Sequence, residues 1–477
     1  EKQKDACPCV FERNVFVGRY HKDLHGGNLL IDTENLVWLI DFADVTEEAH
    51  VFLDIAKFFD RIDRELLLHK LATRANLPRP LLRWIRSFLA PTTGLTQRVR
   101  YNGVNSDDEI SHDGVPQGSC LSPVLCLVFL NDLDAMLKCD VSLFADDVTL
   151  FSTADTIDEQ TAALNHDLTI IQWWSDTWGI DFSPAKCRHM VMDRGQKRHR
   201  HQRATYATNR VGFPPAPGTN APRTVETTDH FTLLGVVLSN DLRYEKHVET
   251  RVIPTMESQL NFLKYLTSGL GHAQRLVADR IYTGVVRPKI EYGSTIWRLG
   301  CKPTLLGRLD VLQRNFARAI TGCKVGVSND ALLAEVGWLT LETRAEGAFI
   351  RQLHRTVTLP ATHRLRTQYA ASPAMTTRFY DTALKLWAGV TDDRVNDSFG
   401  DRDATAQLKS ALRAWQHQKT AAALAASPRT AAVALHSIKP TPERWNHLCY
   451  GPRQAVVTMA QLRLGCSPLA VHRRRYD

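Results

Sequence analysis

The sequence predicts an α+β fold, in which an antiparallel sheet with helices on one face is followed by a mostly helical region. Residues 141–151 alternate well enough for two short strands on either side of an Asp-Asp pair, which is typical of a β-hairpin. Residues 51–72 read as an apolar strand, a turn and a helix. Beyond residue 238, apolar residues recur at spacings of three and four at 251–266 and 273–286, as they do in helices.

Length, composition and charge limit the kind of protein that this chain can be. A chain of 477 residues has room for roughly two to four domains, and its 44% apolar and 23% charged content is ordinary for a folded protein. The net charge of +8 points weakly to a polyanionic partner. The ten cysteines include no CxxC pair, so we expect reduced thiols. No apolar run suits a signal peptide or a membrane helix, and we expect an intracellular protein of the nucleus or cytoplasm with no membrane partner.

The first 48 residues contain His21-Lys-Asp-Leu-His-Gly-Gly-Asn28, followed by Asp41-Phe42. This pattern resembles the catalytic loop and the metal-binding segment of kinase-like phosphotransferases. By that resemblance Asp23 would be the catalytic base, and Asn28 and Asp41 would hold Mg²⁺. The residues before His21 contain no Gly-rich loop to cover a nucleotide, so we expect an incomplete fragment without activity, joined to an unrelated sequence.

Three carboxylates stand in apolar surroundings further along the chain: Asp54 in the predicted strand, and Asp146 and Asp147 in the predicted hairpin. Adjacent negative charges repel, and a divalent cation removes this problem because it prefers oxygen ligands. Taken singly, the Asp-Asp pair also fits a solvated turn, and Asp54 also fits a strand-end cap or a surface acid. A site for two cations needs several bridging carboxylates, which these three would supply if they meet.

A loop rich in glycine and proline separates these acids in the sequence. It reads His112-Asp-Gly-Val-Pro-Gln-Gly-Ser-Cys-Leu-Ser-Pro123, and an apolar helix is predicted to follow it. Gly114 and Gly118 allow the backbone to approach a ligand closely. For any one of these residues, an ordinary loop is the alternative interpretation.

The order of these motifs resembles that in the palm of reverse transcriptases. Their sequences are most similar to those of non-LTR (LINE-like) retrotransposons. Two later segments extend the resemblance: Trp173-Trp-Ser-Asp-Thr-Trp-Gly-Ile-Asp-Phe-Ser-Pro-Ala-Lys186 and Phe231-Thr-Leu-Leu-Gly-Val-Val-Leu238. Five motifs thus follow the family order over about 190 residues. The resemblance implies a right-hand polymerase palm at 49–190, followed by a mostly helical thumb and C-terminal region.

The resemblance also implies roles in catalysis. The carboxylates of Asp54, Asp146 and Asp147, with the carbonyl of Ile55, would hold two Mg²⁺ ions, and Mn²⁺ is the alternative metal. Lys186 would protonate the leaving pyrophosphate or lie beside it as a cation.

Further roles concern the nucleotide and the primer. Phe59 would lie beneath the sugar and select deoxynucleotides, and Gln117 and Gly118 would contact the templating base and the incoming nucleotide. Leu234 and Gly235 would bind the primer. Phe58 stands where the family has a small residue, so that it either crowds the nucleotide or packs into the palm.

The remaining sequence divides into three predicted parts. These are a basic and Pro-rich insertion loop at 191–230, a primer-grip hairpin and thumb at 231–300, and a partly flexible helical C-terminal region at 301–477. The basic run at 194–203 fits a solvated loop, a phosphate-binding segment or a nuclear-localisation signal.

The function implied is RNA-directed DNA polymerisation, a nucleotidyl transfer that uses an RNA template, a DNA primer and deoxynucleoside triphosphates. Relatives have a fingers region before the strand of Asp54, where this chain has the kinase-like fragment, so the resemblance leaves the activity of the chain open. Two alternatives remain: a kinase-like phosphotransferase remnant, and a non-catalytic protein that binds nucleic acid. We find no sequence pattern of an endonuclease, a ribonuclease H or a zinc knuckle.

Overall fold

The computed structural model describes residues 48–89, 95–111, 113–152, 154, 156–192, 210–215, 223–268, 274–323, 326–360, 366, 382–383, 385–387, 390, 402–426 and 453–464. These residues form two compact units. The first unit contains the described residues up to 231 together with 239–242, and the second contains 232–238 and the described residues from 243 onward. The finer five-part division stays a prediction.

The first unit is built from short strands and helices. In chain order they are β1 (Glu48–Asp54), α1 (Phe58–Arg61), α2 (Arg64–Thr73), α3 (Arg79–Leu89), β2 (Leu95–Gln97), β3 (Arg100–Tyr101), β4 (Val104–Asn105), β5 (Glu109–Ser111), α4 (Ser122–Leu130), β6 (Asp140–Phe144), β7 (Asp147–Ser152), α5 (Ile157–Trp178), β8 (Arg188–Met192), β9 (Gly212–Phe213), β10 (Arg223–Thr224) and β11 (Glu226–Thr227).

A five-stranded sheet in the order β11-β8-β1-β7-β6 is the frame of this unit. β1 pairs antiparallel with β7 and with β8, and β6 and β7 form the predicted hairpin. The predicted antiparallel pairing therefore holds for these four strands, and the exception is the edge strand β11, which pairs parallel with β8. A long connection separates these two strands, and such a connection, unlike a hairpin turn, can return the chain in the same direction.

The two faces of β1 differ in their neighbours. Ala49, Val51 and Leu53 are buried in a core shared with α2, α4 and α5. Since side chains alternate along a strand, Phe52 and Asp54 lie on the opposite face. The helix α5 is well delimited: Thr156 and Glu159 form a capping box at its start, which satisfies free backbone N–H groups.

The second unit is mostly helical. A hairpin of β12 (His230–Leu233) and β13 (Val236–Ser239) lies at its start and shares its first and last residues with the first unit. The helices follow as α6 (Glu245–His247), α7 (Ile253–Ser268), α8 (Gln274–Ile281), α9 (Arg287–Glu291), α10 (Ser294–Gly300), α11 (Pro303–Thr321), α12 (Asn329–Val336), α13 (Leu341–Thr358), α14 (Arg402–Ala426) and α15 (Arg453–Arg463). A π-helical segment at 248–252 precedes α7, and another at 282–286 precedes α9. The helices predicted from the apolar spacing at 251–266 and 273–286 are therefore confirmed.

Some predictions lie outside the described residues. They include the kinase-like positions Asp23, Asn28 and Asp41 and the basic run at 194–203. In the part of the chain that the structure covers, all six cysteines are free thiols, and no helix is both long and apolar enough to cross a bilayer.

Candidate active site

The three predicted acids meet at one end of the five-stranded sheet. In the antiparallel register of β1 and β7, Asp54 is the direct partner of Asp147. The two-residue turn Ala145-Asp146 connects Phe144 to Asp147, so Asp146 lies beside them. Ala145 has a φ of 52°, a left-handed conformation that L-residues other than glycine adopt at a cost. The hairpin therefore holds two carboxylates opposite the last residue of β1 through a strained turn.

The charges of these acids influence one another. Partial burial of its carboxyl group raises the pKa of Asp147 to about 6, and the negative charges of Asp146 and Asp54 raise it further in the same direction. Two neighbouring carboxylates disfavour the ionised form of a third, because like charges repel. The end of the sheet is thus an electronegative position that favours a cation.

Lys186 supplies a positive charge at this position. Its Nζ lies 3.3 Å from Asp54 Oδ2, and its side chain is 68% exposed, so that the ammonium can move. The segment that carries Lys186 is attached to the end of β1. Phe182 forms a β-bridge with Ile55, and the Ser183 amide donates a hydrogen bond of 3.0 Å to the Asp54 carbonyl. The fold therefore fixes the backbone next to Lys186 and leaves its ammonium mobile.

The carboxylate oxygens of these three acids are the kind of ligand that a hard divalent cation prefers, and the sheet register brings the backbone of Asp54 next to that of Asp147. Antiparallel partners such as Asp54 and Asp147 have Cα atoms about 4.5–5.5 Å apart, which is within reach of shared carboxylate ligands. Among the residues that the structure describes, however, no three His, Cys, Asp or Glu side chains already surround one point. The Asp54 carboxylate instead lies against Lys186.

The described part of the predicted loop, 113–123, is held against the segment that follows β1 by backbone hydrogen bonds. The Gly114 amide donates to the Ile62 carbonyl and the Val115 amide to the Phe59 carbonyl, each at 2.8 Å. A Cβ on Gly114 would lie 2.6 Å from the Phe59 carbonyl oxygen. At Gly114 the segment after β1 fills the place of a side chain, so the glycine is required for packing against protein backbone, and its approach to a ligand stays a prediction. At Gly118, which has a φ of 86°, a Cβ would meet no atom within 4 Å.

The predicted nucleotide residues lie in this loop, as Gln117 and Gly118 do, or next to it, as Phe59 does. Gln117 donates a hydrogen bond of 2.8 Å from Nε2 to Asp60 Oδ1 and is exposed. Phe59 is half-buried, and its ring meets Phe58 edge-on at 6.0 Å. Phe58 is buried in the core and also contacts Phe129. This burial favours the interpretation in which Phe58 packs into the palm.

The predicted primer residues belong to the second unit. Leu234 and Gly235 form the turn of the β12–β13 hairpin with φ values of 47° and 82°, as in a type I′ turn. The Tyr292 hydroxyl donates a hydrogen bond of 2.6 Å to the Leu234 carbonyl, and a Cβ on Gly235 would lie 3.5 Å from Tyr292 Cε1. Tyr292 therefore supports a turn that carries a bulky residue in a left-handed conformation.

Comparison with known proteins places these residues in one family segment. Residues 32–238 match the model of the family described as reverse transcriptase (RNA-dependent DNA polymerase). This match contains Asp54, Asp146, Asp147, Lys186 and the predicted loop. It begins inside the segment that resembles a kinase-like catalytic loop, and that second resemblance stays a prediction.

Curated relatives are polymerases of mobile elements. The chain is 25% identical over 279 residues to the RNA-directed DNA polymerase from mobile element jockey of Drosophila melanogaster, an alignment of 57% of this chain and 28% of the relative. It is 27% identical over 287 residues to the probable RNA-directed DNA polymerase from transposon X-element of the same species, covering 59% and 29%. The chain thus spans less than a third of the length of these relatives. These similarities support the reverse transcriptase resemblance.

Several residues that build the site escaped the sequence analysis. Arg64 is buried and donates hydrogen bonds to the carbonyls of Gly114 and Asp113, at 2.8 and 2.9 Å, which anchors the loop. Asp181 receives an ion pair from Arg61. An arginine at the start of a predicted helix usually faces solvent, so no local signal marked Arg64. Asp181 stood inside a quoted motif, but its partner lies 120 residues earlier.

Proposed function

We propose that this chain carries out RNA-directed DNA synthesis as the polymerase of a non-LTR mobile element. The observation that supports this best is the register that pairs Asp54 with Asp147 beside Asp146, within a segment that matches the reverse transcriptase family. The three acids come from positions separated by about ninety residues, and solvated surface acids have no need to share one sheet end.

In this proposal Asp54, Asp146 and Asp147, with the carbonyl of Ile55, hold two Mg²⁺ ions. Bound there, the cations lower the pKa of the primer 3′-hydroxyl and neutralise charge on the leaving group. Mn²⁺ has the same preference for oxygen ligands and is the alternative ion.

Lys186 has two tasks in the proposal. Its Nζ neutralises Asp54 at 3.3 Å, and its exposed stem lets the same ammonium reach the leaving pyrophosphate and donate a proton. The hydrogen bond from Ser183 to the Asp54 carbonyl keeps the lysine segment beside the acids during this movement. The lysine therefore acts from a fixed backbone and a mobile side chain.

The other predicted contacts bind the nucleotide and the primer in this proposal. Phe59 would lie under the sugar, and Gln117 and Gly118 would contact the base pair being formed. Leu234 and Gly235, supported by Tyr292, would bind the DNA primer. The substrates are an RNA template, a DNA primer and deoxynucleoside triphosphates. This set of partners comes from the family resemblance.

Primer extension tests the proposal. The purified chain should extend a DNA primer on an RNA template with Mg²⁺, and Asp146→Ala should reduce the rate by a factor of about 10³ or more, since it removes a proposed metal ligand. Asp107→Asn, an exposed acid in the loop before β5, is the matched control and should retain the parent rate. Equal extension by the parent and Asp146→Ala would refute the proposal. Template binding without extension by the parent chain would favour the non-catalytic alternative.

A further inference from the structure

A surface groove of about 570 Å³ lies between α2 and α3 of the first unit, and none of the residues that line it belongs to the candidate active site. The short connection at 74–78 turns the chain back, so that Ala72 and Arg79 line one end of the groove and Glu65 and Arg86 line the other. Between Arg79 and Arg86 the helix rises about 10.5 Å, which is about two turns. The groove is therefore long enough for two turns of a third helix.

The floor of the groove is aliphatic. Leu68 and Leu82 line it, and both belong to the packing of the first unit, Leu68 in the core and Leu82 against it. Ala72 is exposed and adds a methyl group near the connection between the helices. Apolar surface of this kind gains free energy when aliphatic side chains remove it from water. The floor therefore favours an occupant with leucine-type side chains.

The wall formed by α3 is positive. This helix contains Arg79, Arg83 and Arg86, whose spacings of four and three residues place them on one side, and it contains no acidic residue. Arg86 is neutralised by Glu65 of α2 through hydrogen bonds of 3.0 and 2.8 Å. Arg79 and Arg83 are exposed, and within the described residues neither guanidinium has an ion pair or a hydrogen bond. Two uncompensated cations thus stand beside an aliphatic floor.

The arrangement of these groups distinguishes between classes of partner. A second copy of the chain docked through the same surface would bring the arginines of α3 against their own copies, and like charges repel. A single-stranded nucleic acid would need aromatic side chains on which its bases stack. The exposed aromatic residue of α3 is Trp84, which lies about 140° around the helix from Arg79 and outside the groove. The lining therefore favours a protein segment with aliphatic and acidic side chains.

We propose that the groove between α2 and α3 is a docking site for an acidic amphipathic helix of a partner protein. Leucine-type side chains at every third or fourth position of that helix would cover Leu68 and Leu82. Carboxylates beside them would pair with Arg79 and Arg83, and a guanidinium can bind a carboxylate through two parallel hydrogen bonds. Such docking does not depend on polymerase activity, because the groove shares no residue with the candidate active site.

Peptide binding tests the groove. A labelled peptide of about 18 residues, long enough to be helical on its own, would carry leucines at helical spacing with glutamates beside them. It should bind the full chain in fluorescence anisotropy at least about tenfold more tightly than a peptide with lysine for every glutamate. Arg79→Glu combined with Arg83→Glu should reverse this preference. Arg100→Glu combined with Arg308→Glu changes the net charge equally at exposed positions outside the groove and should keep the preference of the parent.

A second variant tests the floor without changing the charge. Ala72→Phe fills the groove from an exposed position of α2 and should weaken binding of the glutamate peptide about tenfold, because the ring occupies the space of a leucine. Circular dichroism checks that each variant is folded. Primer extension is not part of this readout, so a chain without polymerase activity still tests the groove.

Three outcomes would overturn the site: no binding of the glutamate peptide by the parent, an unchanged preference in Arg79→Glu combined with Arg83→Glu, or unchanged binding in Ala72→Phe. A parallel titration with a single-stranded RNA separates nucleic acid from protein. If RNA binding depends on the two arginines and peptide binding does not, they form a nucleic-acid surface and the proposal fails. It fails equally if sedimentation shows a dimer of the parent that Ala72→Phe dissociates, since a second copy would then fill the groove.

Discussion

Asp147 illustrates, at the scale of a single residue, how a proposed metal ligand weakens the fold that holds it. It is the first residue of β7, opposite Asp54 and beside Asp146, and burial together with these charges raises its pKa to about 6. Without a cation, the folded chain therefore carries three carboxylates that repel one another. Such tension is common where a site is selected for chemistry and not for stability.

Asp147→Asn should consequently stabilise the folded chain at pH 7.5 in EDTA, because it removes like-charge repulsion. The carboxyl group is partly buried but the residue as a whole is exposed, so solvent screening limits the expected gain to less than about 1 kcal/mol. Urea unfolding measures it, with Asp107→Asn as the control that should change nothing. A lower stability of Asp147→Asn would show that the acids do not repel one another in the folded chain.

Phe58 and Phe59 are neighbours with different environments. Phe58 is only 2% exposed, whereas Phe59 is half-buried at the edge of the site. Phe58→Ala should lower the free energy of unfolding by about 3–5 kcal/mol, as for a large ring lost from a core. Phe59→Ala should lose about half as much or less, and should instead increase the incorporation of ribonucleotides in primer extension. Equal destabilisation by the two substitutions would contradict the assigned packing.

At the scale of the element, two glycines of one loop distinguish the cost of a left-handed backbone from the cost of a steric collision. Gly114 and Gly118 both have φ values near 80°, but only at Gly114 would a Cβ collide with backbone, 2.6 Å from the Phe59 carbonyl oxygen. Gly118→Ala should cost roughly 1–2 kcal/mol from the left-handed conformation alone. Gly114→Ala should cost clearly more, because the loop must also move away from the end of β1. Chemical denaturation of the two variants compares them, and similar losses would refute the close approach.

A buried lysine joins three helices of the first unit. Lys70 of α2 donates to the Phe129 carbonyl of α4 at 2.6 Å and to Asp132 at 2.7 Å, and its ammonium lies 3.8 Å from the centre of the Trp178 ring of α5. Burial lowers the pKa of Lys70 to about 8, and the charge of Asp132 offsets part of that effect. The folded chain therefore binds fewer protons at this lysine than the unfolded chain between about pH 8 and 10.5.

The stability contributed by Lys70 should therefore rise with pH across that window, because the unfolded state binds more protons there. The difference in unfolding free energy between the parent and Lys70→Met should change by up to about 1.4 kcal/mol per pH unit between pH 8 and 10. Lys138→Met, an exposed lysine, should show no such slope. A flat difference for Lys70→Met would mean that the ammonium keeps its ordinary pKa in the folded chain.

At the scale of the whole molecule, the sequence was most informative where local patterns are strong. The hairpin around Asp146 and Asp147 and the helices at 251–266 and 273–286 follow from alternation and from helical spacing. The register that brings Asp54 to Asp147 could not be derived from either strand alone. It was available only through the family order of the motifs, which the match over 32–238 supports.

Contacts between distant residues mark the limit of such prediction. The parallel edge strand β11 and the anchoring of the loop by Arg64 join segments whose local sequence gives no indication of a partner. At Gly114 the sequence shows that a Cβ is absent, but it could not show that the backbone of Phe59 and Asp60 fills the place of one. The division into two units likewise depends on tertiary contacts.

The central claim is that Asp54 acts together with acids that lie about ninety residues later in the chain. Extension of a DNA primer by one nucleotide on an RNA template, under single-turnover conditions with Mg²⁺, tests it most directly. Asp54→Asn and Asp147→Asn should each slow the step by about a thousandfold or more, and the double variant should be little slower than either, since all serve one site. A parent chain that extends the primer while Asp54→Asn does so at an equal rate would contradict the claim.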